Sequence, residues 1–258
     1  MTASTTSHNR IRLWAVALWL LLWQGLSWWL ARMWPNGHLL LASPVSSLVR
    51  LGQLAVTPDF WQTIGFSAIR IFSGFLLSSL IAVVLAIVSA RLPRVRELLA
   101  PLISAIKSIP VVSFVILALV WLDSDSLPLF ISALMVFPTV YLNVLEGMNS
   151  VDRQLLEMAQ VFRIPTLRRY RGIYLPAVLP YYRSASSAAL GLCWKSGIAA
   201  EVIGLADGSI GEALYNAKVY FMTPDLFAWT AVIVMVSIAM EKGFLFLLDC
   251  AARKAGCK

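Results

Sequence analysis

Lys195 and Glu201 stand six residues apart in a stretch, Ser184–Ile203, that is otherwise small or apolar. Ionisable groups in such a setting are costly to place in lipid and therefore mark sites of function or of specific pairing. A lysine there suits an anionic solute. Six residues set the two side chains about 240° apart around a helix, so they do not share one face. Lys195 is read first as pairing with another helix or a sister subunit and second as lining a pathway, and Glu201 is placed close to the outer membrane interface. Arg70, Lys107 and Arg183 fall near the ends of apolar runs, where long side chains snorkel to water. The remaining reactive residues are scattered. His8 and His38 are the only histidines, and neither stands beside a nucleophile. Cys193, Cys250 and Cys257 have no metal-ligand, redox or disulfide spacing and read as small apolar residues. No Gly-x-x-x-x-Gly-Lys-Ser/Thr loop is present to cradle nucleotide phosphates. The chain is therefore expected to need no metal or cofactor, to be no enzyme, and to hydrolyse no ATP itself.

The elements that position these residues are set by an apolar composition, 59% hydrophobic against 13% charged. Apolar runs approach the roughly 20 residues that cross a bilayer as helix, not the alternating segments of about 10 found in barrels. The expected fold is an all-α membrane protein in a single domain over residues 1–258. About six transmembrane helices are placed at Leu13–Leu30, Phe66–Ala90, Ile103–Leu122, Leu129–Leu145, Pro180–Ile203 and Pro224–Met240. The first is read as a retained span, too long and too rich in tryptophan for a cleaved signal, with Trp28 and Trp29 at the far interface.

Lysine and arginine divide unequally between the loops. Arg10, Arg12, Arg91, Arg94, Arg96, Arg153, Arg163, Arg168, Arg169, Arg171, Lys242, Arg253, Lys254 and Lys258 fall on one side, against Arg32, Arg50 and Lys218 on the other. Fourteen against three puts both termini in the cytoplasm. A formal charge of +8 would suggest nucleic acid as partner to a soluble protein, but here the cations lie between membrane segments, and no nucleic-acid partner is expected.

Gly74, Ser78, Ala82, Ala86 and Ala90 form a stripe of small residues in the second span, and Ser184, Ser187, Ala188 and Gly191 repeat the idea in the fifth. Such stripes let helices approach closely in lipid. Pro110 and Pro138 lie inside the third and fourth spans, where proline removes a backbone donor and kinks the helix. Residues 34–61 read as an external loop containing a short amphipathic helix near Ser46–Leu54, or as a simple connector. Residues 241–258 read as an interfacial tail.

The loop of about residues 149–179 is patterned. Asp152 caps a short helix on which Leu155, Leu156, Ala159 and Phe162 share a face. That helix ends near Arg163 or Ile164, because the residue before Pro165 is driven from helical geometry. Pro165 starts a second short helix carrying Arg168, Arg169 and Arg171, and Pro176 and Pro180 mark the return to the membrane.

Here the chain resembles the inner-membrane permeases of binding-protein-dependent ABC importers. Their signature is Glu-Ala-Ala, three residues, Gly, nine residues, then Ile-x-Leu-Pro. This sequence reads Glu157-Met158-Ala159, Arg163 at the glycine position, and Ile173-Tyr174-Leu175-Pro176 after a spacer that ends in Gly172. The spacing is intact, with Met158 for alanine and Arg163 for glycine. The arginine is costly wherever the turn demands positive φ. Thr63–Ala90, Lys107-Ser108-Ile109-Pro110 and Trp194–Gly211 are similar to the branch for aliphatic sulfonates, nitrate and taurine.

The resemblance implies a transporter subunit of the bacterial inner membrane. It would move a sulfonate-like solute or another small anion, with ATP hydrolysed by separate ATP-binding cassette subunits. It further implies a second permease copy, an extracytoplasmic solute-binding protein, and a cytoplasmic coupling helix docking on the ATPase. In that role Glu157 orients the contact while Leu175 and Pro176 fix the return. Three other readings stand beside it: a basic loop resting on anionic lipid, an ion-gradient-driven secondary transporter, and an integral membrane enzyme.

Overall fold

The computed structural model describes residues 13–34 and 37–254, without the side chains of residues 13, 37 and 38. Arg10, Arg12, His8, Cys257 and Lys258 lie outside it, as does the side chain of His38. The described residues form α-helices and one π-helical turn.

The chain begins with α1 (Leu13–Met33), α2 (Gly37–Leu40) and α3 (Pro44–Ala55). Helix α3 covers the expected Ser46–Leu54 and starts two residues earlier: Ser43 accepts from Ser46 N at 3.1 Å, and Pro44 occupies the first turn, where its missing N–H costs nothing. Next comes α4 (Pro58–Arg91), whose small-residue stripe is buried from Gly74 to Ala86. It lies against α7 (Leu127–Asn149), reached through α5 (Pro93–Ser108) and α6 (Val111–Ala118). A Cβ on Gly74 would fall 2.5 Å from the carbonyl oxygen of Leu129, and Ser78 donates to the carbonyl of Ala133 at 2.6 Å. This is the close approach that small residues permit.

The third expected span, Ile103–Leu122, is not one helix: α5 and α6 are bent by 103°. Ile109, preceding proline, is extended (φ −84°, ψ 132°), and Pro110 follows at φ −58°, ψ 139°. Pro138, by contrast, is accommodated within a continuous α7.

Beyond α7 come α8 (Arg153–Val161), a single turn α9 (Thr166–Arg169) and a π-helical turn (Tyr170–Tyr174). They lead into α10 (Leu175–Gly204), then α11 (Ile210–Val219) and α12 (Thr223–Lys254). Helices α1, α4, α7 and α12 are long and apolar enough to cross a membrane, and the bent α5–α6 pair passes the same test jointly. Helix α10 has 30 residues, enough to cross, but its serines and ionisable residues lower its apolarity. It packs against α7 and α12, and by length alone it joins the five apolar units as a sixth, the number expected. Ile71, Phe75, Val136, Val140, Leu190 and Trp194 fill the core between α4, α7 and α10.

Helix α12 runs unbroken past Met240, so residues 241–254 continue the helix of the sixth span. Phe244 packs edge-on to Phe75 with ring centroids 5.0 Å apart, and Asp249 meets Arg183 at 2.8 Å. Those contacts hold the segment to α4 and α10. Similarly, Pro176 and Pro180 do not interrupt the return to the membrane. The π-helical turn, in which Leu175 N–H donates to Tyr170 O, loosens the ladder just ahead of Pro176 and lets the helix continue.

Candidate functional site

The loop between α7 and α10 is tied down at both ends. Its roots meet closely: a Cβ on Gly147 would be 3.1 Å from Val178 Cα and from the Tyr181 ring. At its start, Asp152 accepts from Gln154 N at 2.8 Å and so caps α8. At its end, Ile164 N donates to Ala159 O (2.9 Å) and Arg163 N to Gln160 O (3.0 Å). These two bonds close a Schellman turn, which needs a left-handed residue where Arg163 stands. Arg163 adopts φ +48°. The turn geometry of the signature is thus preserved, with an arginine under the strain that glycine would escape.

Only part of the expected apolar face of α8 turns inward. Ala159 is 1% exposed and Leu156 half-buried, whereas Leu155, Met158, Val161 and Phe162 are exposed, joined by Leu167 in α9. A helix three turns long cannot bury this much apolar surface against one neighbour. Glu157 projects from the same protrusion, its side chain 66% exposed and 3.5 Å from Arg153. An exposed i,i+4 pair of this kind contributes only a few tenths of a kcal/mol, roughly 0.3–0.5. Gly172 and Ile173 lie in the π-helical turn, and Leu175 and Pro176 in the first turn of α10. Arg91, closing α4, sits 4.9 Å from the centre of the Tyr170 ring, which stacks on Tyr174 and ties the loop to α4.

The two ionisable residues of α10 part ways. Lys195 is exposed, with no ion pair among the described residues, beside a Trp194 that is buried. Glu201 is 0% exposed and lies inside the protein, three residues before α10 ends at Gly204. Its Oε2 accepts from Ser67 Oγ at 2.9 Å and from Gly211 N at 3.1 Å, while Ser67 Oγ accepts from Ile210 N at 2.9 Å. A carboxylate thereby receives the first-turn donors of α11, a setting favoured by the helix dipole. The approach demands glycine: a Cβ on Gly211 would lie 2.2 Å from Glu201 Cβ. Ser67, 134 positions from Glu201 in sequence, carries no local signal that would have revealed this cluster.

At the end of the bundle away from the loop, charged pairs fasten the connections. Arg70, read from sequence as a snorkelling anchor, instead holds Asp125 at 2.8 Å and the carbonyl of Asp207 at 3.2 Å. Arg50 grips Asp225 through Nε and Nη2, and that hydrogen bonding raises the arginine above its ordinary value. Among the described residues no cluster of His, Cys, Asp and Glu could hold a metal.

Residues 78–247 match the family model for the inner membrane component of binding-protein-dependent transport systems, and the chain belongs to that family. It is a permease subunit of an importer-type ABC transporter and a multi-pass membrane protein. Among its relatives is SsuC of Bacillus subtilis, named for aliphatic sulfonates transport, 25% identical over 81% of this chain and 75% of the relative. The taurine transport system permease TauC of Escherichia coli is 25% identical over 84% of this chain and 81% of its own. The bicarbonate transport system permease CmpB of Synechococcus elongatus is 27% identical over 71% and 66% respectively. A crystal structure of an amino acid ABC transporter shares the fold, with a TM-score of 0.54 at 17% identity over 81% of this chain and 97% of that one.

Proposed function

We propose that this permease moves a small anion across the inner membrane, driven by ATP hydrolysis in a separate subunit that docks on the loop from Asp152 to Pro176. The observation that carries the reading is the exposed apolar surface of Leu155, Met158, Val161, Phe162 and Leu167 around an exposed Glu157. It sits on a protrusion whose roots and turns are fixed, as transmission of a partner's movement requires. Glu157, Met158, Ala159 and Arg163 form the docking helix and its turn. Gly172, Ile173, Leu175 and Pro176 join it without interruption to α10, so a push on α8 reaches the centre of the bundle.

In this reading the loop and both chain termini face the cytoplasm, following the excess of lysine and arginine on that side. A second permease copy covers the exposed face of α10 that carries Lys195, because a lysine at that depth is poorly placed against lipid. An extracytoplasmic binding protein delivers the solute at the opposite end. The named substrates of the relatives, sulfonates, taurine and bicarbonate, support an anionic or sulfonate-like cargo.

Co-expression with an ATP-binding subunit of the same transport system tests the reading. Glu157→Ala abolishes co-purification of that subunit and solute uptake while the permease remains in the membrane. Normal uptake by an intact complex of this variant would refute the coupling role.

A further inference from the structure

The break between α5 and α6 lies level with the middle of α7. It faces Met135, Pro138 and Thr139 of α7 across a cavity of about 450 Å³. Met135 is eight residues, roughly 12 Å, from the start of α7 at Leu127. Tyr141 lies an equal eight residues from its other end at Asn149. Non-helical backbone at such depth persists only where protein buries it or water reaches it. Ile109 and Pro110 are exposed among the described residues, so this chain alone does not bury them.

Its lining carries one sign of charge. Lys107 and Ser108, from the last turn of α5, border the cavity together with Thr139 and with Val111 at the start of α6. Pro110 offers no side-chain cap to α6, and Ser113 N donates to Pro110 O, which leaves the N–H groups of Val111 and Val112 without a side-chain acceptor at the cavity's edge. Lys107 and Ser108 also line an adjoining cavity of about 590 Å³, bordered by Arg96, Ser104 and Tyr141. The Tyr141 side chain is 1% exposed, yet its hydroxyl has no hydrogen-bond partner among the described residues. A buried donor left in that state costs stability unless something else accepts from it. No carboxylate lines either cavity. Leu192 of α10 closes the first cavity, and exposed Lys195 follows one helical turn further on.

We infer that the α5–α6 break is an anion site on the transport path. A small solute bearing acceptor oxygens is held there by Lys107, Thr139 and the opening amides of α6, beside a Ser108 whose hydroxyl donates to Ser104 O at 2.8 Å, and passes Lys107 toward Arg96 and the Tyr141 hydroxyl. Cavities of this size match small-molecule sites in general, which occupy about 300–1,000 Å³. The inference rests on the transport reading above and specifies where its cargo's charge is met.

Substituted cysteines test it in membrane vesicles holding the permease with its ATP-binding subunit. Cys250→Ser and Cys257→Ser remove background, and Cys193 is buried. Ser108→Cys and, separately, Thr139→Cys are labelled with an anionic sulfonatoethyl and a cationic trimethylammonium methanethiosulfonate. Relative to a free thiol, both positions react about tenfold faster with the anionic reagent. Adding Lys107→Gln brings the ratio toward one. Parity, cationic preference, or no labelling at both positions overturns the site. Co-purification of the ATP-binding subunit is followed in parallel. If it persists without anionic preference, the site alone falls; if the unsubstituted chain fails to co-purify, the transport reading falls as well.

Discussion

Two glutamates of this chain occupy opposite circumstances. Glu201 is sealed in the bundle, where Ser67 and Gly211 donate to it and a glycine is required for the helices to meet. Glu157 stands out from a short helix with nothing but a long pair to Arg153. The first is committed to holding α11 against α4 and α10, so its removal damages the fold. The second contributes little to the fold and is free to meet another chain. Exposure, more than residue type or position in a motif, separates a structural carboxylate from one available for recognition.

Substitutions can break or sharpen this contrast. The largest effect belongs to Glu201→Ala, which leaves a cavity and strands the Ser67 and Gly211 donors. A loss of about 4 kcal/mol is expected, read as a fall in thermal midpoint of the detergent-purified permease. Glu201→Gln keeps the accepting oxygen, loses about 1 kcal/mol or less, and retains uptake. Loss of uptake with unchanged stability would instead give the carboxylate a part in transport. Gly211→Ala forces a Cβ into Glu201 and costs about 2–3 kcal/mol by the same assay.

At the loop, Arg163→Gly relieves the left-handed turn and raises stability by roughly 0.5–1 kcal/mol, the relief being partly offset by the greater freedom of glycine in the unfolded chain. Glu157→Ala changes stability by about 0.5 kcal/mol or less. A larger stability change at Glu157 would erase the distinction between the two carboxylates.

Much of the loop was legible because its determinants are local. Asp152 caps where a residue of its type and spacing should, Pro165 ends the preceding helix, and the glycine position of the signature marks a positive φ even when arginine fills it. The angular separation of Lys195 and Glu201 likewise follows from helix geometry alone, and the structure puts one outside and the other inside. What escaped depended on distant partners. Ser67 gives the burial of Glu201 its compensation, Phe75 and Arg183 retain the end of α12, and Asp125 and Asp207 turn Arg70 from an anchor into a clamp. Pro110 was visible as a disturbance, but hydropathy averages across it and cannot distinguish a kink from a bend of 103°. The π-helical turn before Pro176 escaped for a related reason: proline signals interruption, whereas the chain absorbs it by widening one turn.

The central claim, that the loop's exposed face receives an ATP-binding subunit, is tested most directly by a photoreactive residue at Phe162, with buried Ala159 as control. A docked subunit gives cross-links from Phe162 to the ATP-binding subunit and none from Ala159 in membranes containing both chains. Cross-links from Phe162 to lipid alone would contradict it and leave the loop as a basic segment resting on the bilayer.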